Sequence, residues 1–277
     1  MTGALEPEYV LARRVLLDAF EALGDQRAAV VLVGAQAIYL HTGDADIAVA
    51  PYTTDGDVAL DPSRLRDNPK LAEALSGAGF AADVQHVGTW IVSRPLGGRP
   101  VDVKIDLMVP EALGGPGRRG ARLGPHGNKI ARKARGLEAT LVDRRQRTIE
   151  ALDGADGRAF EVAVAGPAAL MVAKLHKIAE RIDKPGRSED KDALDVLRLL
   201  RGISTEAMAD GVHILLNAEI SASVTGEALI FLRDLFSEPS RSGSQMAARA
   251  AAPLEPEDTI AASCAFLTQD LLRQIRP

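Results

Sequence analysis

The chain has 277 residues, a formal net charge of −5 and one cysteine, Cys264. This length can bury a core without disulfides, and a single cysteine excludes an intrachain disulfide framework, which favours a reducing compartment. The net negative charge excludes a globally basic nucleic-acid-binding protein but permits a local basic patch. Aromatic residues make up only 4% of the chain, which argues against a base-stacking surface.

The N-terminal residues do not form a signal-peptide pattern, because Glu6 and Glu8 stand where a basic region ahead of an apolar stretch would be needed. No apolar run approaches the length that spans a bilayer. We therefore expect a cytoplasmic protein with no membrane partner.

Strand and helix patterns alternate in the first part of the chain. An apolar stripe predicts a helix over 7–23, and the apolar run 28–33 predicts a buried strand followed by a short helix over 35–40. Further strands are predicted over 56–60, 80–87, 90–93, 101–109 and 160–164, with a helix over 69–76 and a turn over 95–100. This order predicts a mixed sheet with helices packed on it.

After Gly166 the apolar period becomes helical. Helices are predicted over 167–182, 189–200, 205–217, 226–236 and 256–275, with a polar linker over 239–244 and an alanine-rich stretch over 246–252. The sequence thus predicts an α/β (α+β) protein, with a mixed-sheet domain over 1–165 and a helical domain over 166–277.

Two short motifs carry chemistry in the first half. Gly34 ends a predicted strand where a helix begins, a turn at which backbone can approach a phosphate, although many strands end in glycine for structural reasons alone. Asp55 and Asp57 are two apart in an extended segment, so their carboxylates share a face. Such a pair is costly unless a cation neutralises it, and Mg²⁺ accepts carboxylate ligands. A solvated acidic turn is the alternative interpretation.

A third motif is the alternating strand over 101–109. Its apolar residues face one way, while Asp102, Lys104 and Asp106 face the other. The two aspartates are about 13 Å apart along a strand, so only one of them could join Asp55 and Asp57 at a metal. An ordinary amphipathic strand with a wet face is the alternative.

This order of motifs resembles the nucleotidyltransferase superfamily related to DNA polymerase β, in which a glycine turn is followed by Asp-x-Asp and then by a carboxylate on a later strand. The resemblance implies that Asp55, Asp57 and Asp106 are catalytic and hold two Mg²⁺ ions, with Mn²⁺ as an alternative. It also places Gly34 and Ala35 at the nucleotide, where Thr53 or Thr54 would be a source of the hydroxyl group that Ala35 lacks. Position 35 is alanine where the family usually has serine or glycine, which leaves open a non-catalytic binding module with the same fold.

The second half resembles the AbiEii and MenT branch, the nucleotidyltransferase toxins of toxin–antitoxin systems. The residues that carry this resemblance are a lysine-bearing helix with Lys174 and Lys177, and a Lys-Asp-x-x-Asp motif with Asp192 and Asp195. It implies that Lys174 contacts the nucleotide phosphates and that an aspartate of the later motif supports the site. The alternative for the lysines is a solvated helix face. The whole resemblance runs from about residue 31 to residue 200.

Residues 112–136 form a glycine-rich basic segment. It includes Arg118, Arg119 and Arg122, which could hold an RNA backbone as a flexible arm. The expected activity is transfer of a nucleoside monophosphate from a nucleoside triphosphate to RNA, most plausibly tRNA, by a toxin with a cognate antitoxin partner. A small-molecule acceptor, such as an aminoglycoside, is the rival.

Overall fold

The computed structural model describes residues 5–43, 53–182, 190–252 and 254–275. Nine α-helices lie in these residues: α1 Pro7–Leu23, α2 Gly34–Thr42, α3 Leu71–Gly77, α4 Pro167–Arg181, α5 Asp190–Gly202, α6 Thr205–Asn217, α7 Glu219–Phe236, α8 Ser242–Ala251 and α9 Glu257–Ile275. The strands of the same residues are β1 Val30–Val33, β2 Asp55–Leu60, β3 Ala81–Ala82, β4 Thr89–Leu96, β5 Arg99–Pro110, β6 Arg132–Ala134, β7 Arg144–Glu150 and β8 Ala159–Ala165.

The eight strands form one mixed sheet, which confirms the predicted fold class. Seven of them follow the order β3-β4-β5-β2-β1-β8-β7. The pairs β2/β5 and β1/β8 are parallel, whereas β1/β2, β3/β4 and β4/β5 are antiparallel. The short strand β6 pairs in parallel with the last three residues of β5, beyond the point where the pairing with β4 ends.

Helix α1 covers one face of the sheet at β2 and β5. Gly56 makes this packing possible, because a side chain there would begin 2.6 Å from Cδ1 of Ile105 and 3.2 Å from Cδ1 of Leu16 on α1. Val103 and Leu107 are buried on the same side as Ile105. Since strand residues alternate between faces, the polar residues of β2 and β5 project from the opposite face.

The described residues divide into two compact units, each discontinuous in sequence. The sheet unit comprises residues 5–36, 53–134 and 145–164, and the helical unit comprises 37–43, 135–144 and the described residues from 165 onward. The core of the helical unit includes Leu197, Leu232 and Phe236. The chain thus passes between the two units at several points, and the predicted domain division after residue 165 stays a prediction. No helix in the described part is long and apolar enough to cross a membrane.

The structure corrects the strand predicted over 80–87. Only Ala81–Ala82 is extended, and a turn follows because the carboxylate of Asp83 accepts hydrogen bonds from the backbone N–H groups of Gln85 and His86, at 2.7 and 3.2 Å. Aspartate side chains commonly satisfy turn backbone in this way. Strands β6 and β7 were not predicted, because their sequences are dominated by basic residues.

Two helices differ from their predicted bounds. Helix α7 begins seven residues earlier than the predicted 226, because its hydroxyl side chains bond to nearby backbone: Ser221 donates to the carbonyl of Leu215, and Thr225 donates to the carbonyl of Ser221. The alanine-rich stretch, together with part of the predicted polar linker, forms α8. The predicted start of α5 at residue 189 lies outside the described residues.

Candidate active site

Two neighbouring strands bring the aspartates selected from the sequence onto one face of the sheet. In the parallel pair of β2 and β5, Asp57 lies beside Asp106 and Asp55 lies beside Lys104. Residues two apart on a strand share a face, so Asp55, Asp57 and Asp106 project from the same side. Asp102 shares that side but lies four residues back along β5, so the register places Asp106 next to Asp57.

Gly34 forms the turn between β1 and α2 and lies against Asp57. Its φ of 70° is in the left-handed region, which favours glycine. A Cβ atom at this position would lie 2.1 Å from Oδ2 of Asp57, so a side chain there would displace the carboxylate. Ala35 follows in the first turn of α2 and offers no hydroxyl group.

The carboxylate of Asp106 is held on both oxygens. Thr89, its registered neighbour on β4, is buried and donates from Oγ1 to Oδ1 of Asp106 at 2.6 Å. On the other side, Nη2 of Arg132 lies 3.4 Å from Oδ2 of Asp106. These two contacts fix the direction in which the carboxylate points.

The first aspartate of the motif is contacted by the two threonines before it. The backbone N–H of Asp55 donates to Oγ1 of Thr53 at 3.4 Å, and Oγ1 of Thr54 donates to Oδ1 of Asp55 at 3.3 Å. Thr53 is buried and therefore supports the backbone at the start of β2. Its predicted contact with a nucleotide stays a prediction.

A series of hydrogen bonds, made by buried side chains of α1 and α2, reaches the backbone of Asp55. Nε of Arg13 donates to Oε1 of Gln36 at 2.8 Å, and Nε2 of Gln36 donates to the carbonyl of Asp55 at 3.1 Å. Arg13 also donates to the carbonyl of Glu150 at 3.0 Å and to the hydroxyl of Tyr9 at 3.4 Å. Arg13 and Gln36 are both almost fully buried, so these bonds are costly to leave unmade.

The three carboxylates have the chemistry that a magnesium site needs. They are oxygen ligands on one face of a rigid sheet and are only partly buried, so that water and phosphate oxygens could complete the coordination. Within the described ranges, however, no group of three His, Cys, Asp or Glu side chains is arranged to hold a metal ion. The carboxylate of Asp106 is turned toward Thr89 and Arg132. Convergence of the three carboxylates on a metal stays a prediction.

The second set of predicted residues forms one buried ionic cluster between α4 and α5. Nζ of Lys174 lies 2.7 Å from a carboxylate oxygen of Asp192 and 2.7 Å from one of Asp195. Nζ of Lys177 lies 2.9 Å from Asp192, and Arg181 lies 3.9 Å from the same carboxylate. Lys174 is 8% exposed, whereas Lys177 is 30% exposed, so Lys177 lies at the accessible edge of the cluster.

The cluster holds Lys174 and Asp192 in their charged forms. Burial lowers the pKa of Lys174, but the charges of Asp192 and Asp195 outweigh burial and hold that pKa well above its usual value. Burial likewise raises the pKa of Asp192, yet the charges of Lys174 and Lys177 hold it well below the usual aspartate range. Lys174 is therefore a charged, immobilised ammonium group and not a solvated lysine, which excludes the alternative of a wet helix face for this residue.

The basic segment over 112–136 is a folded loop and not the flexible arm expected from the sequence. Backbone hydrogen bonds close it internally, from Ala121 to Ala131 at 2.9 Å and from Arg122 to Gly114 at 2.9 Å. Its buried residues include Ala121, Leu123, His126 and Ala131. Arg118, Arg119 and Arg122 are exposed on it. Their predicted contact with RNA therefore concerns a preformed surface.

A family model described as "Nucleotidyltransferase" matches residues 13–204, more than half of the chain. The chain belongs to this nucleotidyltransferase family. Comparison with curated proteins and with solved structures found no match. The matched range contains every residue that the sequence placed at the nucleotide or the metal. The protein is therefore a transferase enzyme, and its family implies a nucleoside triphosphate as substrate and transfer of a nucleoside monophosphate.

Sequence reasoning missed four residues that this nucleotidyltransferase places around the aspartates. Thr89 and Arg132 contact Asp106, while Gln36 and Arg13 support Asp55. Gln36 could have been found, because it follows the glycine turn by two residues at the start of a helix. The contacts of Thr89, Arg132 and Arg13 depend on pairing between distant segments, which no local pattern signals.

Proposed function

We propose that this enzyme transfers a nucleoside monophosphate to a hydroxyl of RNA, at the end of a tRNA, and that it acts as the toxin of a toxin–antitoxin system of the AbiEii and MenT type. The observation that carries the chemistry is the register of β2 and β5, which sets Asp57 beside Asp106 with Asp55 on the same face. The toxin assignment is supported by the order of motifs that continues into Lys174 and Lys-Asp-x-x-Asp.

In the proposed reaction the acceptor oxygen bonds to the α-phosphorus of the triphosphate while the bond to the pyrophosphate oxygen breaks in line. Pyrophosphate leaves, and the proton of the acceptor hydroxyl passes to solvent water. Asp55, Asp57 and Asp106 are the residues that would hold two Mg²⁺ ions, or Mn²⁺. When bound, the ions neutralise the phosphates and lower the pKa of the attacking hydroxyl. Thr89 orients Asp106, and Gly34 leaves space for the carboxylate of Asp57.

The ionic cluster is the proposed nucleotide-binding group of the helical unit. Lys174 is fixed between Asp192 and Asp195, and Lys177 brings a second ammonium group to the accessible edge. An immobilised lysine binds a phosphate without first losing side-chain entropy. Ala35 has no hydroxyl for the phosphates, so backbone and lysine contacts would carry more of the binding.

The basic loop supports a polyanionic acceptor. It ends in β6, which pairs with β5 from Met108 onward, so the loop is anchored at the strand that carries the third carboxylate. Arg118, Arg119 and Arg122 are exposed on it, and each arginine that contacts a phosphate would make binding weaker as salt rises.

The test is incubation with each α-labelled nucleoside triphosphate, Mg²⁺ and total tRNA, followed by detection of labelled RNA. Wild type should produce labelled RNA, whereas Asp57→Asn and Asp106→Asn should produce none. Asp102→Asn is the matched control, since this exposed aspartate lies on the same strand face and should leave transfer intact. In a parallel reaction an aminoglycoside replaces tRNA, and label in the aminoglycoside with none in RNA would favour the small-molecule acceptor. Triphosphate binding without pyrophosphate release would identify a non-catalytic binding module.

A further inference from the structure

The arginine that pairs with Asp106 has no part in the proposed reaction so far. Nη2 of Arg132 lies 3.4 Å from Oδ2 of Asp106, and the side chains are 29% and 26% exposed. This pair is therefore reachable from solvent and lies on the sheet face that carries the other two aspartates. A guanidinium group beside a metal-binding carboxylate competes with the metal for the same oxygen.

Strand pairing fixes the backbone of Arg132. Its strand β6 pairs with β5 at Met108 on one side and bridges to Gly120 on the other. Gly88 allows this arrangement, because a Cβ atom there would lie 2.6 Å from the backbone nitrogen of Arg132. The indole N–H of Trp90 also donates to the carbonyl of Ile130 at 3.2 Å. The backbone around Arg132 is therefore fixed while its side-chain end remains accessible.

We propose that Arg132 is a triphosphate-binding residue that is stored on Asp106. Without metal, its guanidinium group neutralises Asp106. If Asp106 bound a divalent cation, the guanidinium would be released at the edge of the site and would bind phosphate oxygens of the nucleoside triphosphate. The planar, permanently charged guanidinium group suits phosphate, with which it forms paired, charge-assisted hydrogen bonds. This inference rests on the proposed role of Asp106 as a metal ligand.

The proposal predicts that loss of the Arg132 guanidinium changes the affinity for a divalent cation and the affinity for the triphosphate in opposite directions. Removing the guanidinium removes the competitor for Asp106, so a divalent cation alone should bind more tightly. The same change removes a phosphate contact, so the triphosphate should bind more weakly in the presence of metal. A merely structural Arg132 would not produce this pattern, because a distorted site would weaken both.

The experiment compares Arg132→Gln with wild type. Binding of Mn²⁺ alone is measured by electron paramagnetic resonance, and binding of a non-hydrolysable triphosphate analogue with Mg²⁺ by calorimetry. We expect Mn²⁺ affinity to rise several-fold and analogue affinity to fall about tenfold, the loss typical of one charge-assisted hydrogen bond. Arg99→Gln is the charge-matched control; it lies seven residues from Asp106 on β5, about 23 Å away, and should change neither affinity more than about twofold.

Weaker or unchanged Mn²⁺ binding in Arg132→Gln would overturn the proposal, as would unchanged analogue affinity. If Arg132→Gln does not fold, Arg132→Lys keeps the charge without the paired donors and should still weaken the analogue. Failure of the proposed function would be recognised separately, since wild type would then label no acceptor whatever the binding data show. If wild type is active and the two affinities of Arg132→Gln do not change in opposite directions, the inference about Arg132 is rejected and the proposed function is not.

Discussion

Replacing Asp192 with asparagine should destabilise the helical unit strongly. The Asp192 side chain is 2% exposed and neutralises Lys174 at 2.7 Å and Lys177 at 2.9 Å. Removing one partner of a buried ion pair typically costs about 3–5 kcal/mol, because the other charge stays buried. Asp195 would still pair with Lys174, so we expect the lower end, about 3 kcal/mol. Typical domains are stable by only about 5–15 kcal/mol, so this is a large fraction.

Urea unfolding followed by far-ultraviolet circular dichroism measures this loss, since most helices lie in the helical unit. Asp210→Asn is the matched control, an aspartate exposed on α6, and should change the free energy of unfolding by less than about 0.5 kcal/mol. A double-mutant cycle with Lys174→Met should show coupling of about 0.5–3 kcal/mol, so that the double variant loses less than the sum. A loss below about 1 kcal/mol, or strict additivity, would refute the reasoning.

Three further predictions follow from single contacts. Gly34→Ala should abolish transfer while circular dichroism shows a folded protein, because the new Cβ atom displaces Asp57; normal turnover would contradict the assigned close approach. Gln36→Leu should reduce kcat more than it changes triphosphate affinity, since it frees the backbone of Asp55; an effect on KM alone would count against a positioning role. Stability should fall as the pH drops below about 4, because the depressed pKa of Asp192 contributes stability that is complete above the unfolded aspartate pKa and is lost as the pH falls toward the folded pKa. Asp192→Asn should flatten this acid slope in pH-dependent urea titrations, and an unchanged slope would contradict the assignment to Asp192.

The sequence predicted which face each aspartate occupies but not which aspartates are neighbours. Alternation along β5 is a local property, so the shared side of Asp102 and Asp106 follows from the pattern itself. The choice between them depends on the register of β5 against β2, which is decided by pairing between segments that are distant in sequence. The paired position of Asp57 and Asp106 therefore had to come from the fold.

Local patterns also gave wrong strand predictions where side-chain hydrogen bonds end a strand, and where charged residues remove its apolar alternation. The strand predicted over 80–87 ends early because Asp83 bonds to the turn backbone. Strand β7 was overlooked because Arg144, Arg145 and Arg147 give it no apolar alternation. It is an edge strand, and charged residues are common on edges, where they discourage pairing with other chains.

The same sheet face allows a test of metal binding that is independent of catalysis. Adjacent carboxylates at paired positions repel one another, and a divalent cation that binds only the folded state removes this cost. Trp90 is the only tryptophan in the chain, lies buried in β4 next to Thr89, and so reports on unfolding of the sheet unit. Mg²⁺ at about 100 times its Kd should stabilise this unit by about 2.7 kcal/mol, seen as a rise in the Tm of Trp90 fluorescence.

The variants decide whether that rise belongs to the proposed site. Asp57→Asn and Asp106→Asn should abolish it, because each removes a carboxylate from the pair that the register brings together. Asp102→Asn should keep it, since this exposed aspartate lies four residues from Asp106 on the same face and was the alternative third carboxylate. If Asp102→Asn and not Asp106→Asn loses the rise, the metal binds farther along β5 and Arg132 does not compete for it. If no variant alters the rise, Mg²⁺ acts elsewhere and the three aspartates are not its ligands.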